Sequence, residues 1–230
     1  MAVEQRGIGT PRTSDVRPPC GLYAAKPWFT RRLAPLEDAL AVRGVRPGTV
    51  TAAGAAFGWA AGTCLALGAL LDTPALWMAV GPLGVARLAA NALDGRLARR
   101  SGAAGPSGVV ANEVGDRLGD VGLLAGVAAV TSTALAAGAL AAALAASLVG
   151  VLALAVTGRR DCGGPFGKAE RVAVVGLGAA AAGATGAATP ITVAAAAVLA
   201  GGVVTAVARL VRLRRATART PRTPRAVSAP

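Results

Sequence analysis

Apolar residues fill six long runs along this chain, and polar residues collect in the short connections between the runs. The runs cover approximately residues 49–71, 75–98, 108–130, 134–157, 169–187 and 190–211. Each run is close to the ~20 residues that a helix needs to cross the hydrocarbon core of a bilayer. The pattern therefore predicts an all-α, polytopic membrane protein whose six transmembrane helices occupy residues 44–211.

A shorter pattern precedes the first run. Over residues 27–43, charged side chains alternate with apolar residues at helical spacing, namely Trp28, Phe29, Leu33, Leu36 and Leu40. This spacing predicts an amphipathic helix at the membrane surface, interrupted or bent at Pro35. The alternative is a solvated entry segment. Residues 1–26 and 212–230 are basic and lack an apolar period, so we expect disordered tails at both ends.

Composition supports a membrane bundle more than a soluble core. Hydrophobic residues make up 54% of the chain but aromatic residues only 3%, and 31 of the 230 residues are glycine. Small residues allow helices to pack closely in lipid, and the same faces would permit a homodimer. The three cysteines show no paired spacing and there is no histidine, which argues against a zinc site or a disulfide framework.

The net charge of +13 follows the connections between the apolar runs. Lysine and arginine are concentrated in both tails and in the second and fourth connections. By the positive-inside rule, these segments and both termini are predicted to be cytoplasmic, with the protein integral to a bacterial plasma membrane. The chain has no basic recognition helix and few aromatic residues for base stacking, so nucleic acid is not an expected partner.

Acidic residues cluster where the second and third predicted spans reach the cytoplasmic side. Four of the eleven in the chain lie between residues 91 and 120: Asp94, Glu113, Asp116 and Asp120. A carboxylate in a membrane span is costly and usually faces a bundle interior or a water-filled cavity. Helical spacing places the polar residues of each span on one face. The short connection between the spans predicts that the two helices are antiparallel neighbours with these faces opposed.

Opposed faces that carry oxygen atoms predict a site for hard divalent cations. Because neither histidine nor cysteine is available, magnesium or manganese is favoured. The alternative is a buried network of carboxylates and arginines, with four candidate partners: Arg87, Arg96, Arg99 and Arg117. That network would leave the asparagine and glycines of the stretch without a role.

The same stretch resembles the CDP-alcohol phosphatidyltransferase family. The family pattern is D-x2-D-G-x2-A-R-x8-G-x3-D-x3-D. The chain reads Asn91-x2-Asp94-Gly95-x2-Ala98-Arg99-x8-Gly108-x3-Asn112-x3-Asp116. The spacing matches at every step, and asparagine replaces the first and third aspartates, as in a divergent branch of the family. Family members have six spans, cytoplasmic termini and a polar cavity that faces the cytoplasm.

The resemblance implies transfer of a phosphatidyl or other substituted phosphate group from a CDP-linked lipid, such as CDP-diacylglycerol, to an alcohol. The reaction releases CMP in phospholipid biosynthesis. It also implies a two-metal site for magnesium or manganese that neutralises the pyrophosphate. Because asparagine brings no charge, Glu113 and Asp120 are expected to supplement the ligands, which gives the set Asn91, Asp94, Asn112, Glu113, Asp116 and Asp120.

Further roles follow for individual residues. The resemblance assigns the nucleotide and pyrophosphate to Gly95, Ala98, Arg99 and Gly108. It makes Asp116 the general base, with Asp120 as the rival for that role. Lys168 and Arg171 share a helical face at the start of the fifth span. They are candidates for binding a phosphate on the acceptor, or they form a plain positive-inside cluster. A catalytically inactive family member and a small membrane transporter remain the alternative functions.

Overall fold

The chain folds into helices throughout the part that the structure describes. This computed structural model describes residues 21–158 and 160–218, and no strand occurs among them, which confirms the all-α prediction. The α-helices are α1 (Lys26–Arg32), α2 (Ala34–Val42), α3 (Pro47–Leu70), α4 (Val80–Arg100), α5 (Pro106–Val130), α6 (Thr133–Thr157), α7 (Lys168–Thr185) and α8 (Thr189–Ala218). Two 3-10 helices, Gly21–Ala25 and Pro74–Ala79, precede α1 and α4.

Helices α3 to α8 occupy the positions of the six predicted spans. Four segments in the described part of the chain are long and apolar enough to cross a membrane: Pro47–Leu70, Pro74–Arg100, Thr133–Thr157 and Thr189–Ala218. Helices α5 and α7 carry charged residues in their first halves. The prediction of six membrane spans therefore stays a prediction, because the structure supports four by length and composition.

Glycines bring α3 and α5 into backbone contact. A Cβ atom built on Gly58 would lie 2.7 Å from the Cα atom of Gly119, and one built on Gly62 would lie 2.8 Å from the carbonyl carbon of Gly122. These distances are too short for any side chain larger than hydrogen. The close packing of small residues that the composition predicts is therefore present at this interface.

A buried apolar core joins α3 and α5 to the other long helices. Leu65 of α3, Val127 of α5, Val175 of α7 and Ile191 of α8 are all almost fully buried within it. Trp77, in the 3-10 helix before α4, is packed in the same core, and its indole Nε1 donates a 3.1 Å hydrogen bond to the carbonyl of Leu65. This core therefore holds together the helices that carry the polar residues.

The predicted surface helix is divided into two short helices. Helix α1 ends at Arg32 and α2 begins at Ala34, with Pro35 in the first turn of α2. Proline is tolerated there because the first amide groups of a helix lack intrahelical partners. Two ion pairs join α2 to the end of α4: Glu37 with Arg96, and Asp38 with Arg100.

Both predicted tails are partly helical. Residues 21–25 form a 3-10 helix, although the sequence pattern assigns them to a disordered segment. Helix α8 continues to Ala218, beyond the predicted end at 211. An ion pair between Arg212 and Asp161 joins this extension to the loop before α7 at 2.8 Å. Residues 1–20 and 219–230 lie outside the described residues, so the prediction of disorder there remains untested.

Candidate functional site

The polar residues of the motif gather at one end of the bundle, where α3, α5 and α7 begin and α4 ends. Thr51 of α3 contacts both motif helices there. Its Oγ1 donates a 2.9 Å hydrogen bond to Oδ2 of Asp94 in α4, and its methyl group would lie 2.7 Å from a Cβ atom on Gly115 of α5. Helices α4 and α5 are not packed along their length as predicted. The glycines of α5 let α3 approach it instead, and α3 joins the two motif helices.

Two motif carboxylates face the same region. The carboxylate of Asp94 is almost fully buried, with 3% of the residue exposed. Asp116 forms an ion pair with the ammonium group of Lys168, the first residue of α7. Thr51, which donates to Asp94, also packs its methyl group against Gly115, the residue before Asp116. The structure therefore brings Asp94, Asp116 and Lys168 into one cluster.

The two asparagines of the motif carry unsatisfied polar atoms beside these carboxylates. Asn112 lies one turn before Asp116, and its Oδ1 is buried with no hydrogen-bond partner among the described residues. The Nδ2 of Asn91 is also buried without a hydrogen-bond partner among the described residues. The Oδ1 of Asn91 faces α3, where it would lie 2.6 Å from a Cβ atom built on Gly54. Buried polar atoms are usually paired, so the Oδ1 of Asn112 can still accept a donor or a cation, whereas the Nδ2 of Asn91 can only donate.

Asp120 occupies a different environment from the one predicted. Arg87 of α4 donates from Nη2 to Oδ1 of Asp120 at 2.8 Å, and Arg171 of α7 donates to Oδ2 at 2.9 Å. The three side chains are 1%, 6% and 7% exposed. Arg87 also donates a 2.8 Å bond to the backbone carbonyl of Asp116. This buried triad ties α4, α5 and α7 together and leaves Asp120 fully engaged by arginines.

Glu113 is also engaged by two arginines. Its carboxylate forms ion pairs with Arg117, one turn along α5 at 2.6 Å, and with Arg160 of the loop before α7. The group lines an open cleft of about 470 Å³ between α5 and α6. This position differs from the predicted role of Glu113 as a metal ligand. The two ion pairs of Glu113 match the alternative prediction, a network of carboxylates and arginines.

Two carboxylates of the motif, Asp94 and Asp116, have no arginine partner among the described ion pairs. In the described ranges 21–158 and 160–218, no three Asp, Glu, Cys or His side chains form a group that could hold a metal ion. Asp94 and Asp116 provide two carboxylates, and the unsatisfied Oδ1 of Asn112 provides a neutral oxygen of the kind that hard cations accept. Turning the Asn91 amide would bring a second neutral oxygen to the same region.

The glycines that the motif assigns to the nucleotide have room for a Cβ atom without a clash. A Cβ atom on Gly95 would meet only Nη1 of Arg99, at 3.6 Å, and one on Gly108 would come no closer than 3.9 Å to a described atom, the carbonyl oxygen of Ala103. Helix packing therefore does not explain these two glycines. Ala98 is half-buried and Arg99 is exposed at the end of α4.

Helix α8 holds the loop that leads to Lys168. Arg209 is buried and donates hydrogen bonds to the carbonyls of Gly163 at 2.8 Å and Ala146 at 2.6 Å. The backbone N–H of Phe166 donates to Oγ1 of Thr205 at 3.0 Å. The motif did not reveal these two residues. An arginine within the last apolar run was a usable signal for Arg209, whereas Thr205 had none.

Comparison with known proteins places the chain in a family. No model of a known protein family matches the sequence. Over 158 residues it is 32% identical to the inner membrane protein YnbA of Escherichia coli, a match that covers 68% of this chain and 77% of that protein. The chain belongs to the YnbA family.

Solved structures show which fold this YnbA-family chain has. The phosphatidylinositol phosphate synthase of Mycobacterium tuberculosis with CDP-DAG bound superposes with a TM-score of 0.62, covering 80% of this chain and 94% of that one at 23% identity. The same synthase in complex with manganese and citrate gives 0.61, with 78% and 88% covered at 23% identity. The chain therefore has the fold of this synthase.

Proposed function

We propose that this protein transfers a substituted phosphate group from a CDP-linked lipid, such as CDP-diacylglycerol, to an alcohol and releases CMP. The observation that carries the proposal is the placement of Asp94 and Asp116 around Thr51, at the same end of the bundle as the loosely packed glycines Gly95 and Gly108. The shared fold with a synthase solved with CDP-DAG bound supports the choice of donor. We further propose that the protein is integral to the bacterial plasma membrane, with this site and both termini cytoplasmic.

A magnesium or manganese ion would be held by Asp94 and Asp116, with the amide oxygens of Asn91 and Asn112 completing the ligands. When bound, a dication supplies positive charge to the donor pyrophosphate, which makes CMP a better leaving group. The donor set fits this role because it is all oxygen and contains a buried acceptor with no partner. A solved synthase with this fold contains manganese.

The nucleotide end of the donor would lie along α4 and the start of α5. Gly95, Ala98 and Gly108 leave room for it against the helix backbones, where larger side chains would collide. Arg99 is placed to contact phosphate oxygens through its planar guanidinium group. Its exposure at the end of α4 leaves this group free to meet the donor.

Asp116 would act as the general base. Its carboxylate would take the proton of the acceptor hydroxyl, whose oxygen forms the new bond to phosphorus while the bond to the CMP oxygen breaks. Lys168 would place its positive charge over the phosphate groups of donor or acceptor, with Arg171 behind it in the buried triad. Asp120 would position both helices through its two arginines.

A second candidate is a protein that binds CDP-linked lipid without turnover. The ion pair of Asp116 with Lys168 favours this candidate, because it engages the proposed base, and Asn91 and Asn112 lower the negative charge available for metal. Binding alone would need the open nucleotide region but not a free base. The two candidates therefore predict different outcomes of one assay.

The assay uses the full chain, purified in detergent and returned to lipid nanodiscs. Labelled CDP-diacylglycerol and manganese are supplied with a panel of acceptors: glycerol phosphate, inositol phosphate, an amino alcohol and a phospholipid. The proposal expects CMP and one labelled product lipid, and neither with chelator present. Saturable donor binding without CMP would establish the non-catalytic binder. Absence of both would overturn the two candidates, and ion flux into sealed proteoliposomes without CMP release would indicate a transporter.

A further inference from the structure

The charge available to the cluster limits the number of metal ions that it can hold. Only Asp94 and Asp116 bring negative charge, because Asn91 and Asn112 are neutral. Asp120 and Glu113 are each neutralised by two arginines. Two dications would therefore bring four positive charges to two carboxylates in a site where unpaired charge is costly. One dication balances the pair.

Lys168 already supplies a positive charge within the same cluster. Its ammonium group forms the ion pair with Asp116. The Lys168 side chain is 23% exposed, so the residue lies at the edge of the cluster and not in the apolar core. The residue has little freedom to leave, since it starts α7 directly after the loop that Thr205 and Arg209 hold against α8.

We infer that Lys168 serves as the second cation of this centre. The site takes one divalent ion, and the ammonium group of Lys168 neutralises substrate phosphate in the place where a second ion would otherwise be needed. This inference rests on the proposed function, because it assigns the charges that act on the same phosphates. It also explains how a site with two asparagines keeps enough positive charge for the donor pyrophosphate.

The inference predicts a specific pattern of metal binding that does not depend on activity. Wild-type protein titrated with Mn²⁺, with free ion measured by electron paramagnetic resonance, should bind one ion per chain. Lys168→Met should still bind one ion, with a Kd at least tenfold lower, because the carboxylates no longer share their charge with an ammonium group. Lys168→Arg should keep the wild-type Kd within about threefold, as it keeps the charge.

A matched control and a gain-of-site variant complete the experiment. Arg160→Met removes a cation from Glu113, outside the cluster, and should leave the Mn²⁺ Kd unchanged. The triple variant Asn91→Asp, Asn112→Asp, Lys168→Met should bind two ions. Lys168→Gln replaces the methionine variant if that one fails to fold. CMP release should fall in Lys168→Met despite tighter metal binding and should be retained in part by Lys168→Arg.

The outcomes separate this inference from the proposed function. Two Mn²⁺ ions bound to wild-type protein, or a Kd that is unchanged or weaker in Lys168→Met, would overturn the role of Lys168 while CMP release still supported the transferase. A folded wild-type protein that binds no Mn²⁺ and releases no CMP would overturn the metal site and the transferase, and the role of Lys168 with them.

Discussion

Replacing Asp120 by asparagine distinguishes a structural role from a catalytic one. The change keeps the shape of the side chain but removes the single negative charge between Arg87 and Arg171. Both guanidinium groups would then lie buried without a counter-charge, since the side chains of the triad are 1–7% exposed. We therefore expect Asp120→Asn to lower the stability of the fold rather than to abolish the chemistry directly.

The size of the effect follows from the geometry of the triad. The two ion pairs are 2.8 and 2.9 Å long between nitrogen and oxygen. A pair of unit charges about 4 Å apart interacts with about 4 kcal/mol at an effective dielectric constant of about 20. Breaking a buried pair from one side typically costs about 3–5 kcal/mol. For a chain of this size that corresponds to a melting temperature lower by roughly 6–20 °C.

Thermal unfolding in detergent, followed by tryptophan fluorescence, measures this loss. Asp38→Asn is the matched control, because Asp38 pairs with Arg100 at the surface, where the side chains are 64% and 49% exposed. That change should cost no more than about 1 kcal/mol. Adding Arg87→Met to Asp120→Asn should recover part of the stability, since one uncompensated charge is removed.

One result would show that Asp120 has a catalytic role and not a structural one. If Asp120→Asn melts within about 2 °C of wild type and yet loses CMP release, Asp120 acts in the chemistry, as the sequence alone predicts. The arginines would then hold a reactive carboxylate in place.

Two further predictions concern the walls of the site. Gly95→Ala should not lower the melting temperature but should lower affinity for the CDP-linked donor, measured by titration, because a Cβ atom there would come no closer than 3.6 Å to a described atom. Gly62→Ala should do the reverse and destabilise the fold, since its Cβ atom would collide with the backbone of α5. Thr51→Val removes the hydrogen bond to Asp94 and should weaken Mn²⁺ binding several-fold without unfolding the protein; an unchanged Kd would show that Thr51 does not orient this carboxylate.

Most of the helical framework could be predicted from the sequence because each long helix overlaps an apolar run, and several of these runs are bounded by glycine, proline or serine. The predicted run at 134–157, for example, is α6 to within a residue, with Ser132 capping its first turn and Gly158 in a left-handed conformation at its end. The glycine content also predicts that some helices pack closely, as α3 and α5 do, although it does not identify the pair. Periodicity and capping are local properties, which a single sequence carries.

The partners of the acidic residues could not be predicted in the same way. Helical spacing puts Asp120 on the face of Asp116, but only the packing of α7 against α4 brings Arg171 to it. Likewise, Arg160 reaches Glu113 from a distant loop, and this loop is held by α8. Each of these contacts joins positions far apart in sequence. The basic residues of the fourth connection, which the sequence pattern explains as a topology signal, therefore form ion pairs with acidic residues of α5.

The role of Thr51 could not be predicted for a different reason. It lies in an apolar run among small residues, and nothing in the sequence distinguishes it from the other threonines of the spans. Its role depends on the packing of α3 against both motif helices. The short connection between α4 and α5 instead predicts that these two helices pack directly against each other. The glycines of α3 and α5 decide this arrangement, because backbone contact between them excludes α4 from that face of α5.

The central claim is that Asp94 and Asp116 together perform phosphoryl-group transfer from a CDP-linked lipid. The most direct measurement is CMP release from labelled CDP-diacylglycerol with manganese by three proteins: wild type, Asp94→Asn and Asp116→Asn. Circular dichroism and melting temperature serve as the check on folding. The account predicts metal-dependent CMP from wild type and a loss of at least about 100-fold in each folded variant. Undiminished CMP release by either variant would contradict it.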